Sequence, residues 1–306
     1  MLQTFLSSSP LRNWGPNPMV QASEELILDC GKGVFLSGFL SKVVNRNPKG
    51  LVILLHGWEG SADSAYMIGT GKKLYTAGFD VFRLNYRDHG NSHHLNKGIF
   101  NGTLIEETFV AVLNVAENFN RTEKLFITGL SLGGSFALRI AKLHGLREVK
   151  NLKRIISINP PLDPYDATVR IDRYPLIRKH FLKKWKSSLK IKESVFPGIY
   201  DFSDLWQINN CLELTDILIP RYSDYTDAID YFNHYTLKKN ILNQAAVPVT
   251  LITSEDDPII KVEDFKSAEI NENINLEIHP FGGHCGYIEN LNLDSWYNEK
   301  ILSLLN

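Results

Sequence analysis

The chain has 306 residues, 43% of them hydrophobic and 22% charged, with 33 Lys and Arg against 34 Asp and Glu. That composition belongs to folded globular proteins and excludes disorder, collagen and coiled coil. A formal net charge of −1 supplies no overall field to draw a phosphate backbone, so nucleic acid is not expected as a partner.

Cys30, Cys211 and Cys285 are odd in number and lack C-x-x-C spacing. This argues against a disulfide framework and a zinc site and fits a reducing cytoplasm. Residues 1–22 lack a basic stretch leading into an apolar one, and Pro10, Gly15, Pro16 and Pro18 predict an irregular arm. No run approaches the roughly 18–20 consecutive apolar residues that a membrane helix needs.

Two β-rich segments, 24–30 and 34–43, flank Gly31-Lys-Gly33 and read as a hairpin. Apolar runs of strand length follow at 51–55, 80–84, 125–128 and 155–158, separated by helical patterns at 65–77, 104–118 and 132–143. From 161 to 243 aromatic and charged residues intermix without a buried strand, which reads as a helical cap insertion over the sheet. Strand patterns resume at 247–253 and 274–279, with helical stretches around 262–268 and 293–305. Continuous apolar strands alternating with helices predict an α/β fold with a mostly parallel, eight-stranded sheet covered on both faces. Its core would comprise 23–160 and 244–306.

The sharpest chemical signal is Gly129-Leu-Ser131-Leu-Gly133, between a predicted strand and a predicted helix. A serine in so sharp a turn needs small residues two before and two after it, and the turn lifts its hydroxyl above the sheet edge at a helix N-terminus. Ser131 is therefore the candidate nucleophile, and a serine hydroxyl needs a base and an acid. His284, in the loop Pro280-Phe-Gly-Gly-His284 after the strand at 274–279, is the candidate base. The acid is expected in Ser254-Glu-Asp-Asp257-Pro258, at the end of the strand at 247–253. Asp257 is preferred over Asp256 because Pro258 favours an extended residue before it, which leaves Asp256 to cap a turn. The order Ser131, Asp257, His284 is that of α/β-hydrolases. Backbone N–H groups of Leu132 and Trp58 are the candidate oxyanion donors, and His56 is expected to hold its loop by hydrogen bonding.

The motifs His56-Gly-Trp-Glu-Gly-Ser61, Gly129-Leu-Ser-Leu-Gly-Gly134, Asp256-Asp-Pro258 and Gly282-Gly-His-Cys-Gly286 together resemble the YheT-like branch of the α/β-hydrolases, relatives of the ABHD-type hydrolases. Within the insertion, Asp216-Ile-Leu-Ile-Pro-Arg221 and Asp227-Ala-Ile-Asp-Tyr231 are similar to that family's cap segment. The resemblance implies a serine hydrolase acting on esters, with Ser131, Asp257 and His284 as its triad and no cofactor. One departure is Asn85-Tyr-Arg-Asp-His-Gly90-Asn-Ser92, similar to the D-x-R-G-x-G-x-S loop of many α/β-hydrolases but with Asn85 for its first Asp and Asp88 for its usual Gly.

Other signals are weaker. His89, His93 and His94 lack the companions of a metal site. Gly69-Thr-Gly-Lys-Lys73 fails the Walker pattern. Cys285 has no elbow and reads as a packing residue. Arg178, Lys179, Lys183, Lys184, Lys186, Lys190 and Lys192, interleaved with Phe181, Leu182, Trp185 and Leu189, read as the solvated face of a cap helix, with contact to an anionic membrane surface as the alternative. Trp185, Trp206, Tyr222 and Tyr225 are candidates to shape the substrate pocket.

The sequence thus predicts a carboxylic ester hydrolase with a small-molecule ester or lipid substrate and leaves its oligomeric state open. The alternatives are a thioesterase or amidase using the same triad, and a binding or scaffold protein that keeps the fold without turnover.

Overall fold

The computed structural model describes Gln3, Thr4, Ser9, Arg12 and residues 15–237 and 242–306. The rest of the expected arm before Gly15, and 238–241 of the expected insertion, lie outside the described residues. The fold is built on one sheet of eight strands in the order β1-β2-β4-β3-β5-β6-β7-β8. The strands are β1 (Ser23–Asp29), β2 (Phe35–Ser41), β3 (Leu51–Leu55), β4 (Asp80–Leu84), β5 (Leu125–Leu130), β6 (Leu152–Ile158), β7 (Val249–Ser254) and β8 (Ile274–His279). β2 pairs antiparallel with both β1 and β4, and the remaining neighbours are parallel.

Helices α2 (Ala65–Ala77), α3 (Ile105–Asn118), α4 (Leu132–His144), α9 (Val262–Lys266) and α10 (Trp296–Leu305) connect or follow the parallel strands. They explain why β3 is apolar throughout. On β3, Leu51, Ile53 and Leu55 pack in one core with Phe109 and Val112 of α3 and Phe136 and Ile140 of α4. Val52 and Leu54 pack in another core, with Met67 and Leu74 of α2 and Tyr297 and Ile301 of α10. A strand with period-two side chains and a helix layer on each face has no solvent side on which to place a polar residue.

Three expectations need correction. Pro18 starts a short helix, α1 (Pro18–Gln21), where the sequence suggested an irregular arm: the Asn17 side-chain oxygen accepts from the Met19 and Val20 N–H groups, and proline at the first helical position lacks only an N–H that would be unpaired anyway. The closing helix begins at Trp296 instead of near Leu293, because Leu293 holds φ +61°, outside the right-handed helical region. β6 starts at Leu152, ahead of the expected 155, since Lys153 and Arg154 break the apolar run at the less buried end of the strand.

Between β6 and β7 lie α5 (Pro164–Arg173), α6 (Pro175–Val195), α7 (Cys211–Tyr222) and α8 (Ala228–Asn233). Prolines sit in the first turn of α5 and α6, and the Asp163, Asn210 and Asp227 side chains accept the free N–H groups at the starts of α5, α7 and α8. Ile177, Leu182, Trp185, Leu189 and Lys192 form the buried face of α6.

The basic run of α6 is not a uniform solvated face. Lys186 donates to the Trp206 and Ile208 carbonyls at 2.7 and 2.6 Å. Lys192, only 1% exposed, donates to Asp88 at 2.8 Å and to the carbonyls of His93, Asn96 and Gly98. Asp88 holds φ +57°, a left-handed conformation that explains the glycine usual there. Its carboxylate ties the loop after β4 to α6 and also accepts the Phe100 N–H at 2.9 Å.

Removing one partner leaves the other charge buried and unpaired, so Lys192→Met is expected to lower unfolding stability by about 3–5 kcal/mol in urea titration. Asp88→Gly combined with Lys192→Met should recover part of that loss, and a double variant no more stable than the single one would refute a specific role for the pair.

Candidate active site

The parallel strands end on one edge of the sheet, and the loops after β3, β5, β6, β7 and β8 meet there. β5 runs into Ser131, which stands at φ +54° and ψ −122° before α4. The strain is tolerated because its surroundings admit no alternative. A Cβ at Gly129 would lie 2.1 Å from the Gly133 carbonyl oxygen, and one at Gly133 would lie 2.2 Å from that of Leu55. The Ser131 N–H donates to the Ile158 carbonyl at 2.8 Å, fixing the turn to the end of β6.

The structure brings Ser131, His284 and Asp257 together. His284 Nε2 lies 2.8 Å from Ser131 Oγ, and its Nδ1 lies 2.9 Å from Asp257 Oδ2. An ionised carboxylate can only accept, so Nδ1 carries the imidazole proton and the Nε2 lone pair faces the serine hydroxyl. Burial pushes the Asp257 carboxyl up, but His284 and the N–H groups of Ile260 and Ile259 outweigh it and hold the group below the usual carboxylate range. Those two N–H groups reach Oδ1 at 3.0 and 2.7 Å.

Asp256 has a different task from its neighbour. Its Oδ1 accepts the N–H groups of Gly282 and Gly283 at 2.8 and 2.7 Å, pinning the loop that carries His284. Sequence reasoning missed Asn159, which is fully buried at φ +45° after β6. Its amide donates to Asp257 Oδ2 at 2.6 Å, and its oxygen accepts from Tyr287 at 2.7 Å. The available signal was an asparagine between a strand end and Pro160, since asparagine tolerates left-handed backbone better than most residues.

The loop after β3 carries the other candidates. The Gly57 N–H donates to Tyr66 at 2.9 Å, Glu59 to His89 Nε2 at 3.2 Å, and Gly60 to the Gly57 carbonyl at 3.0 Å. The Trp58 N–H between them has no partner among the described residues, and neither has that of Leu132 in the first turn of α4. His56, fully buried, lies with Nδ1 2.8 Å from the Gly57 carbonyl and receives the Tyr86 N–H at 3.4 Å on Nε2. Burial, then neighbouring His89, holds its pKa well below the ordinary value, so it is a neutral support of the loop. Cys285 packs in the apolar core behind this edge.

His89 and His93 are likewise engaged, with Arg87 and Glu59 backbone and with Ser188, respectively. Among the described residues no group of three His, Cys, Asp or Glu is arranged to hold a metal.

A cavity of about 90 Å³ opens at Ser131 and is lined by Trp58, Leu132 and His284 and by apolar side chains of α5 to α8. Of the aromatics expected to shape it, only Trp185 does so, together with Phe181, Tyr231, Phe232 and Tyr235. Trp206 instead offers its carbonyl to Lys186, Tyr225 bonds Thr103, and Tyr222 packs on Tyr200 and Phe202.

A family model for the alpha/beta hydrolase fold matches residues 50–182. The chain has the α/β-hydrolase fold. It is 21% identical over 273 residues to a protein of Escherichia coli (strain K12) named Putative esterase YheT, covering 86% of this chain and 80% of that one. It is 25% identical over 289 residues to Putative esterase slr0264 of Synechocystis, covering 86% and 77%. These matches support a YheT-like branch of the α/β-hydrolases. Among solved structures, the esterase Pf2001 of Pyrococcus furiosus superposes with a TM-score of 0.61 at 21% identity, over 96% of this chain and 93% of that one. The 2,6-dihydroxy-pseudo-oxynicotine hydrolase superposes with 0.62 at 18%, over 94% and 69%. Esterase-named relatives and the α/β-hydrolase fold together support a hydrolase.

His89 must stay neutral to accept the Glu59 N–H, and burial, the largest influence on it, lowers its pKa from 6.5 to about 4. The unfolded chain therefore binds this proton more readily, and the His89 contribution to stability is complete above pH ~6.5 and lost as pH falls through ~4. The fall is of the order of 3 kcal/mol. Thermal unfolding is expected to show a declining Tm across that window, with a shallower slope in His89→Gln; equal slopes would remove His89 as the cause.

Proposed function

We propose that the protein is a serine hydrolase that cleaves carboxylic esters through an acyl-enzyme formed on Ser131. The observation that carries this reading is the hydrogen-bonded chain from Ser131 Oγ through His284 to the buried Asp257, at the mouth of an apolar cavity. The serine hydroxyl is a weak nucleophile alone, and the His284 imidazole at 2.8 Å supplies the base it needs.

As Oγ attacks the ester carbonyl carbon, His284 Nε2 takes the hydroxyl proton, and the N–H groups of Trp58 and Leu132 receive the developing oxyanion. Asp257 stabilises the imidazolium, which returns its proton to the departing alkoxide. Water then gives a proton to the same nitrogen, attacks the acyl carbon, and releases the acid with Ser131 restored. The steps balance without a cofactor. Asp256 and Asn159 act on this sequence by position: the first fixes the loop of His284 and the second orients the Asp257 carboxylate.

A fluorophosphonate probe should label the folded wild type and not Ser131→Ala, and p-nitrophenyl butyrate should be hydrolysed only by the former. Absence of labelling in folded wild type would favour a binding or scaffold protein, whereas equal labelling of both would remove Ser131 as nucleophile.

The two aspartates separate by chemistry. Asp257→Asn takes away the acceptor that fixes the imidazole tautomer and should lower kcat by about 10³–10⁴-fold. Asp256→Asn keeps an oxygen for the Gly282 and Gly283 N–H groups and should lower kcat by far less. Comparable losses in steady-state kinetics would contradict this division of labour.

A further inference from the structure

Ser131 and His284 border two cavities, with Trp58 and Phe181 in the wall common to both. These two rings stack with centroids 5.1 Å apart. The cavity under α5 to α8 has a mainly apolar wall that, among the described residues, holds no Asp, Glu, Lys or Arg. The second cavity, about 520 Å³, has a different chemistry. Lys184 and His180, four residues apart on one side of α6, join its wall, and no carboxylate does among the described residues.

Lys184 Nζ donates to the Glu59 carbonyl at 3.1 Å. An ammonium has three donors, and the other two have no partner among the described residues. The carboxyl that interacts with it electrostatically is that of Glu59, which lines a further cavity with Asp88 and His93; Lys184 stands between the two cavities and lines both. Burial pushes the Glu59 pKa up to about 8 against the opposing pull of Lys184, which weakens the pairing of the two charges. The ammonium itself is partly desolvated, which strengthens its attraction for an anion.

The order of chemical events distinguishes the two cavities. In acyl transfer the alcohol leaves first, while the acyl group stays bonded to Oγ until water arrives. The smaller apolar cavity suits the part that stays, and the larger one suits the part that departs. A single ammonium, with no guanidinium fork beside it among the described residues of the wall, matches a monovalent carboxylate better than a dianionic phosphate.

We propose that the substrates are esters of an apolar acid with an alcohol that carries a carboxylate, and that Lys184 binds this carboxylate in the larger cavity. The inference rests on Ser131 being the nucleophile. Its test compares 4-carboxyphenyl butyrate with the neutral 4-carbamoylphenyl butyrate, following phenol release by absorbance. Wild type should favour the anionic ester in kcat/KM, and the anionic-to-neutral ratio should fall about tenfold in Lys184→Met and be retained in Lys184→Arg. Because the ratio is the readout, any damage common to both substrates through the Glu59 contact cancels. Added salt should also lower the ratio in wild type. A wild-type preference for the neutral ester, or a ratio unchanged in Lys184→Met, overturns the proposal. Ser131→Ala must be inactive on both esters, and activity there would overturn the nucleophile assignment instead.

Discussion

Everything at the sheet edge depends on two missing side chains. Ser131 can stand at φ +54° only because Gly129 and Gly133 let backbone approach backbone to a distance no Cβ could share. The contacts are with main chain, so they cannot be relieved by rotating a side chain. Leu55, whose carbonyl oxygen would collide with a Cβ at Gly133, is also the last residue of β3, and the loop that follows carries Trp58. The same close approach therefore sets the serine beside the loop that carries Trp58, and both residues line the cavity. Strain at one residue and the proximity of two loops are a single geometric fact.

Hydrogen-bond accounting along that loop is nearly complete. Gly57, Glu59 and Gly60 each give their N–H to a named acceptor, and the Trp58 N–H is left over at the cavity. In a buried region an unpaired donor carries a desolvation cost, which a developing negative charge would offset. Two of the loop's supports, His56 and His89, accept N–H groups through uncharged nitrogens. Burial keeps both rings neutral, so the support holds at physiological pH.

Much of this was legible in the sequence because it depends on local rules. β3, β4, β8 and α2 match their expected limits, since a strand buried on both faces and a helix ended by Gly78 at φ +105° announce themselves within a few residues. Ser131, Asp257 and His284 could each be placed at a strand end before any contact was known. What stayed hidden is what long-range contact decides. Asn159 lies 98 residues from Asp257 in the chain, and nothing near it in sequence marks its amide as a partner of that carboxylate. Lys192 sits in a run of lysines that looks uniform by composition, yet it alone is sealed against Asp88. The pocket aromatics were misassigned for the same reason: Trp206, Tyr222 and Tyr225 differ from Tyr231 and Phe232 only in which way their short helices and loops turn.

The departure at Asp88 shows how the helices over the sheet are joined to the chemistry beneath. Where a glycine would adopt the left-handed conformation at no cost, aspartate adopts it at a cost of order 1 kcal/mol and gains a buried bond to Lys192 of α6. The same helix reaches the Glu59 carbonyl through Lys184, and the loop of Asp88 reaches the Glu59 N–H through His89. Glu59, itself at φ +54°, is thus held on both sides of its peptide by elements that answer to α6. A shift of that helix would move the lysine facing the larger cavity and the neighbour of the Trp58 N–H together. In the proposed mechanism, the lysine placed to bind the substrate's carboxylate and the residue next to the proposed oxyanion donor are therefore both tied to α6, a link that neither cavity shows when taken alone.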